Sequence, residues 1–252
     1  MKTDLKKTLD SYVAKPREFR LIDVPPLPYL MVDGHGDPNA GGEYADAIAA
    51  LYPVAYTLKF ASKVDLDQDY VVMPLEAQWW AADMDVFTGA RDKSQWDWTA
   101  MIMTPEWITR AMFEQAVAKV AAKNRPASLD KVRLETLHEG LCVQTLHVGS
   151  YDDEAGILAE LHHTYIPEND LRMTGKHHEI YLSDARRTEP AKLRTILRQP
   201  HELPGVRAAR RDGDDVLPRR HLQPVDGPGH PARVDGDVRP RVVGHHPRRR
   251  DR

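Results

Sequence analysis

The stretch GLCVQTLHVGSYDDEAGILAELHHTY, residues 140–165, changes its apolar period partway along. From Gly140 to Gly149 the side chains alternate as they do in a strand. From Ser150 on, Glu154, Leu158, Leu161 and Tyr165 fall on one line at about 100° per residue, which predicts a helix. Ser150 and Asp153 stand at capping-box spacing at its start.

An earlier segment makes the same change. FRLIDVPPLPYLMVDGHGDP (19–38) carries strand signals interrupted by prolines, and NAGGEYADAIAALYPVAYTLKFASK (39–63) puts Tyr44, Ile48, Leu51 and Ala55 on one helical stripe. DYVVMPLEAQWWAA (69–82) and WDWTAMIMTP (96–105) then read as strands. A further helix is predicted from TPEWITRAMFEQAVAKVAAKN (104–124), with Thr104 as cap and Pro105 at its first position. In the second half, KVRLETL (131–137) reads as a strand before residue 140, and GKHHEIYLSD (175–184) and AKLRTILRQP (191–200) read as strands after the helix.

Each half is therefore strand, helix, strand, strand. The expected fold class is α+β, with two pseudo-symmetric modules at about 19–125 and 130–200 and a ligand cleft between them. Aligning the halves sets PLEAQWW opposite HHEIYLS, which makes Glu76 and Glu179 counterparts.

Composition limits the alternatives. The chain has 252 residues, 41% hydrophobic, with a formal net charge of −3, ordinary for a soluble globular protein. No apolar run approaches the roughly 20 residues that span a bilayer. The charged start MKTDLKKTLDSYVAKPREFR has no apolar centre of the secretory kind, so a cytoplasmic location is expected. Cys142 is the single cysteine, so no intramolecular disulfide can form, and its alternating apolar setting predicts a buried small hydrophobe.

Beyond Pro200 the composition changes abruptly. Residues 201–252 contain no Phe, Trp, Tyr, Ile, Lys, Ser, Thr, Asn, Cys or Met, and carry twelve Arg against eight acidic residues. Such a segment cannot bury enough apolar surface to offset chain entropy, and disorder is expected. HHPRRRDR suggests nucleic-acid contact, but the residue set is also what a GC-rich gene read out of frame specifies. The second origin is preferred, and no function is assigned to the tail.

Two carboxylates stand out. Glu179 shares a strand face with Tyr181, and a carboxylate between aromatic walls binds cations or, desolvated, acts as a base. Glu154 lies at the centre of an apolar helical stripe, where a charge requires a partner or a wet cavity. Glu76 shares a face with Gln78 and Trp80. Trp79 and Trp80 point to opposite faces, one toward the core and the other, taken as Trp80, toward the cleft. Trp96 and Trp98 share a face and make a stacking wall. Tyr44 begins the first helix much as Glu154 begins the second. Aromatic walls with carboxylates suit a planar or cationic aromatic ligand. His162–His163 and His177–His178 match no metal-ligand spacing, so no metal is expected. GHGDPNAGG is neither a P-loop nor a dinucleotide fingerprint, no serine or cysteine stands in a nucleophile elbow, and no cofactor is expected.

The order of YVVMPLEAQWW, HVGSYDDE, GKHHEIYLSD and KLRTILRQP resembles the stand-alone GyrI-like small-molecule-binding proteins, over about residues 19–200. The resemblance implies tandem SHS2-type modules and an aromatic pocket with acidic residues. It implies binding of bulky cationic or lipophilic aromatics, or hydrolysis of the cyclopropane ring in DNA-alkylating compounds of the yatakemycin and duocarmycin type. The family's hydrolases use two glutamates, which here implies Glu154, orienting or deprotonating water, with Glu179 assisting. Tyr44, Glu76, Trp80, Trp96, Trp98 and Tyr181 would line the pocket. The alternative is binding or sequestration without turnover. Eighteen preceding residues are too few for a DNA-binding domain, so nucleic acid is not an expected partner, and gyrase inhibition rests on the family's name alone.

Overall fold

A computed structural model describes residues 2–82 and 92–203. The expectations placed on 204–252 lie outside these residues. The strands are β1 (Arg20–Val24), β2 (Leu27–His35), β3 (Glu76–Trp80), β4 (Asp97–Met103), β5 (Arg133–Leu137), β6 (Gly140–Val148), β7 (Arg172–Met173), β8 (His177–Tyr181) and β9 (Arg194–Glu202). The last continues past the expected break at Pro200. Helix α1 spans Glu43–Asp65 and α2 spans Arg110–Lys123. A third helical run starts with a 3-10 turn (Tyr151–Glu154), continues as α3 (Ala155–Glu160) and a π turn (Leu161–Tyr165), and ends in α4 (Ile166–Glu168).

The strands form one curled antiparallel sheet in the order β1-β6-β9-β8-β3-β4-β2-β5, with β7 pairing β9. The order is palindromic about the β8–β3 contact: β6-β9-β8 and β2-β4-β3 are the two predicted modules. Their first strands are exchanged, since β1 pairs β6 and β5 pairs β2. Pro25 and Pro26, which have no backbone N–H, separate β1 from β2 and disfavour a hairpin between them. At the equivalent join, Glu139 is drawn into a buried ion network described below.

Both helical layers cover one face of the sheet. Residues Ala47, Leu51, Val54 and Leu58 of α1 enter the main core, and Leu161 and Ile166 pack with Val143 of β6. Gly41 and Gly42 have φ of 76° and 78° where the chain enters α1, a conformation that carries little cost for glycine. Helix α2 begins later than expected: Thr109, rather than Thr104, accepts a hydrogen bond from the Met112 backbone N–H. Ser150 also departs from the capping expectation, because its hydroxyl donates to the Asp153 carboxylate. Among the described residues no helix is long and apolar enough to cross a membrane.

Candidate functional site

Strand register decides which candidates meet. Trp79 stands opposite Trp98 and His177, Gly34 opposite Trp98, and Ala77 opposite Glu179. Trp79, Trp98, His177, Glu179 and Tyr181 therefore share the helix-covered face, and the alternation of β4 adds Trp96 to it. Tyr44 arrives from α1, its ring 4.9 Å from that of Trp98 and 5.6 Å from that of Trp79. Tyr151 arrives from the 3-10 turn, 5.5 Å from the Tyr181 ring.

Trp96 and Trp98 each pack edge-to-face on another ring of this face. Trp96 meets Trp79 at 70° and Trp98 meets Tyr44 at 89°, the edge-to-face packing that aromatic quadrupoles favour. Trp98 has room because residue 34 has no side chain: a Cβ there would lie 2.1 Å from its ring. Gly34→Ala is expected to displace Trp98 and cost about 1–3 kcal/mol, measurable as a lower denaturation midpoint with altered tryptophan emission.

Glu179 is anchored on one side. The Tyr181 hydroxyl donates to Oε2 at 2.6 Å and itself accepts from Trp79 Nε1 at 3.2 Å. The other oxygen, Oε1, faces His177 Nε2 at 3.6 Å, beyond hydrogen-bond length. Burial and the Glu179 charge push the Tyr181 hydroxyl far above the ordinary tyrosine value, so it remains a donor.

Glu154 approaches the same group of side chains from the start of the helical run, close enough to feel the charge of Glu179, and is only 4% exposed. Among the described residues its Oε1 has no hydrogen-bond partner. Burial, and then the negative charge of Glu179, push its carboxyl up to about 9. Burial and the charges of Glu154 and Glu179 likewise push Tyr151 up to about 12. The two glutamates thus form an electrostatic pair, with a proton resident on Glu154 at neutral pH.

Glu76 and Trp80 are placed elsewhere, which corrects the sequence alignment of the two halves. Glu76 pairs with Ile180 in the sheet and points to the face opposite Glu179. The alignment was one residue out of phase, and such a slip exchanges the two faces of a strand. On its own face Glu76 is fully buried: it accepts from Tyr12 at 2.5 Å and meets His178 Nε2 at 3.0 Å. His178 Nδ1 meets Glu139 at 2.9 Å, and Arg198 donates to Glu139 at 2.7 Å, to Gln144 at 3.0 Å and to the Ser11 carbonyl at 2.6 Å. Burial opposes charge on His178, yet the carboxylates on both ring nitrogens raise its pKa. The same contacts, with Arg198, overcome burial and hold Glu139 at about 2. Trp80 lies under the Lys176 ammonium, 3.1 Å from the ring centroid.

A cavity of about 470 Å³ opens on this second face, lined by Gln78, Thr99, Arg133, Glu139 and Lys176 among others. Its charges are largely spent: Arg133 pairs with Asp33 and Glu135, and Glu139 with His178 and Arg198. The unequal carboxyls and the aromatic rings belong to the other face, which is therefore the candidate site.

Sequence reasoning named Tyr44, Trp96, Trp98, Glu154, Glu179 and Tyr181, and the structure gathers these six. It overlooked Tyr151, although SYDDE places it three residues before Glu154. It chose Trp80 over Trp79, and it weighed His177 only as a metal ligand. Among the described residues no group of three or more His, Cys, Asp or Glu side chains is disposed to hold a metal.

Comparison with known proteins places the chain in a family. Residues 17–201 match the model of the GyrI-like small molecule binding domain. An uncharacterized conserved protein from Listeria innocua is 38% identical, with a TM-score of 0.73, over 80% of this chain and 100% of its own. Two hydrolases from Listeria innocua are 37% and 36% identical over the same shares, with TM-scores of 0.70 and 0.71. No curated protein matches the chain.

Proposed function

The chain belongs to the GyrI-like small molecule binding domain family, and on that premise we propose that its aromatic cleft takes a planar electrophilic compound and adds water across a strained cyclopropane ring. The observation that carries this reading is the unequal carboxyl pair, a protonated Glu154 and a Tyr181-anchored Glu179 in one water-poor aromatic site. Such pairs divide acid and base roles between chemically identical groups. The two similar hydrolases from Listeria innocua support a hydrolytic reaction class.

For a cyclopropane conjugated to a carbonyl, the chemistry runs as follows. Glu179 Oε1 takes a proton from water while the water oxygen bonds to a ring carbon. The ring C–C bond breaks, and its electron pair moves to the carbonyl oxygen. Glu154 gives that oxygen its proton. The product is substrate plus one water. Water activation was expected of Glu154 from the sequence; the proton it holds suits it to the opposite role. The aromatic rings would hold the planar ligand at attack distance, where positioning by itself lowers the barrier.

Incubation with a cyclopropane-bearing DNA alkylator tests the reading: mass spectrometry should show substrate plus water, dependent on Glu154 and Glu179. Quenching of tryptophan emission without a hydrated product would leave binding or sequestration, a reading that the ring-lined acidic cleft also favours for cations.

Glu154 also sets a pH dependence. Turnover requires its proton, so the rate should fall as pH rises through about 9. Its folded pKa is raised from 4.5, so its contribution to stability is present in full below 4.5 and is lost as pH rises toward 9. Glu154→Gln keeps the shape without the titration. That variant should lose turnover yet gain stability relative to the parent between pH 5 and 9, by roughly 1.4 kcal/mol per pH unit at most. Urea titrations across that range check the sign.

A further inference from the structure

Behind Glu179, on the side away from Tyr181, lies a line of histidines that the proposed reaction has not used. His177 is 8% exposed and shares the face of Glu179, its Nε2 3.6 Å from Glu179 Oε1. Among the described residues neither of its ring nitrogens has a hydrogen-bond partner. The His162 ring stands 6.0 Å from it at 85°, with its Nε2 buried and Gln199 as a side-chain hydrogen-bond partner of the residue. The His163 ring is 6.5 Å farther on, at 87°, and this residue is exposed. His162 and His163 both lie in the π turn Leu161–Tyr165. Such turns interrupt α-helices frequently at functional sites.

Buried polar atoms normally find partners, so a histidine with both ring nitrogens orphaned between Glu179 and His162 calls for an explanation. The charged and titratable groups along this line are Glu179 from β8 and His162 and His163 from the π turn; Trp79 of β3 stands opposite His177. Burial, and then the two neighbouring histidines, hold His162 neutral by pushing it down to about 4. A neutral imidazole accepts a proton at one nitrogen and releases another from the second.

We propose that His177, His162 and His163 carry the proton away from Glu179 to solvent after ring opening. This rests on the hydrolytic reading above. In that reaction each turnover leaves Glu179 protonated and Glu154 ionised. A product lying between the two carboxyls blocks direct exchange. Glu179 then passes its proton from Oε1 to His177 Nε2 while His177 releases its other proton toward His162, and Glu154 regains a proton from water as the product leaves. No oxidant or further reactant is needed. His177 acts here as a relay and touches no substrate.

The test compares the full-length parent, His177→Gln, His163→Ala and Glu179→Gln on a cyclopropane-bearing alkylator, in single-turnover and steady-state modes, with and without imidazole buffer. His177→Gln should lower kcat by about 10- to 100-fold and leave KM and the first turnover intact, with partial recovery in imidazole. His163→Ala, exposed and harmless to folding, should lower kcat only at low buffer concentration. Glu179→Gln should lose the first turnover too. Parent turnover with an unchanged kcat in His177→Gln, or a loss shared by the first turnover and not recovered by imidazole, overturns the relay alone. A parent that hydrates no substrate overturns the relay together with the reaction on which it rests.

Discussion

Replacing Glu179 by Gln is expected to lower the rate of cyclopropane hydration by about 10²- to 10⁴-fold, the usual contribution of a positioned general base. The amide keeps the shape of the side chain and can still accept from the Tyr181 hydroxyl, now 2.6 Å from Oε2. The aromatic rings, held by their own edge-to-face contacts, should therefore still bind a planar ligand. Tryptophan quenching titrations should show affinity changed by less than about tenfold while turnover collapses. That pattern marks an interaction made in the transition state rather than in the bound ground state. Equal losses of binding and rate would instead place Glu179 among the ligand's anchors.

A comparably large effect is expected on the other face. His178→Ala leaves Glu76 and Glu139 buried without the cation that stands 3.0 and 2.9 Å from them. Removing one partner of a buried ion network costs about 3–5 kcal/mol, because the remaining charges stay desolvated. Equilibrium unfolding in urea measures this as a lower midpoint. The network also has a pH signature. The folded pKa of His178 is raised, so its contribution is complete below the unfolded value near 6.5 and is lost as pH rises through the folded value. That of Glu139 is depressed from 4.5 to about 2, so its contribution is present above 4.5 and is lost as pH falls toward 2. His178→Ala should remove the His178 share of the alkaline dependence, leaving that of Glu154, and weaken the acidic one, since Arg198 still binds Glu139 at 2.7 Å. The same network ties in the N-terminal segment through Tyr12 and the Ser11 carbonyl, so the variant should also expose the chain to proteolysis near residues 11–13.

The relation between sequence and structure differs from element to element. The change of period at Gly149–Ser150, and the same change before α1, announced two modules and the α+β class, because apolar spacing follows the geometry of whichever element buries it. Glu154 could be read from its place in an apolar stripe, since an acid there demands a special environment. The exchange of β1 and β5 between modules was not legible, because strand partnership depends on residues more than a hundred positions apart.

From the residues alone came the element types, the tandem organisation and the family likeness, all consequences of local periodicity and short motifs; the pairing of Glu154 with Glu179 was what that likeness implied. Tertiary structure decided which side of each strand faces which neighbour. The register between β3 and β8 sent Glu76 and Trp80 to the ionic face and set Trp79 on the face of Glu179, opposite His177. It also decided that Glu154 holds a proton, since desolvation and a neighbouring charge exist only once distant segments have packed together.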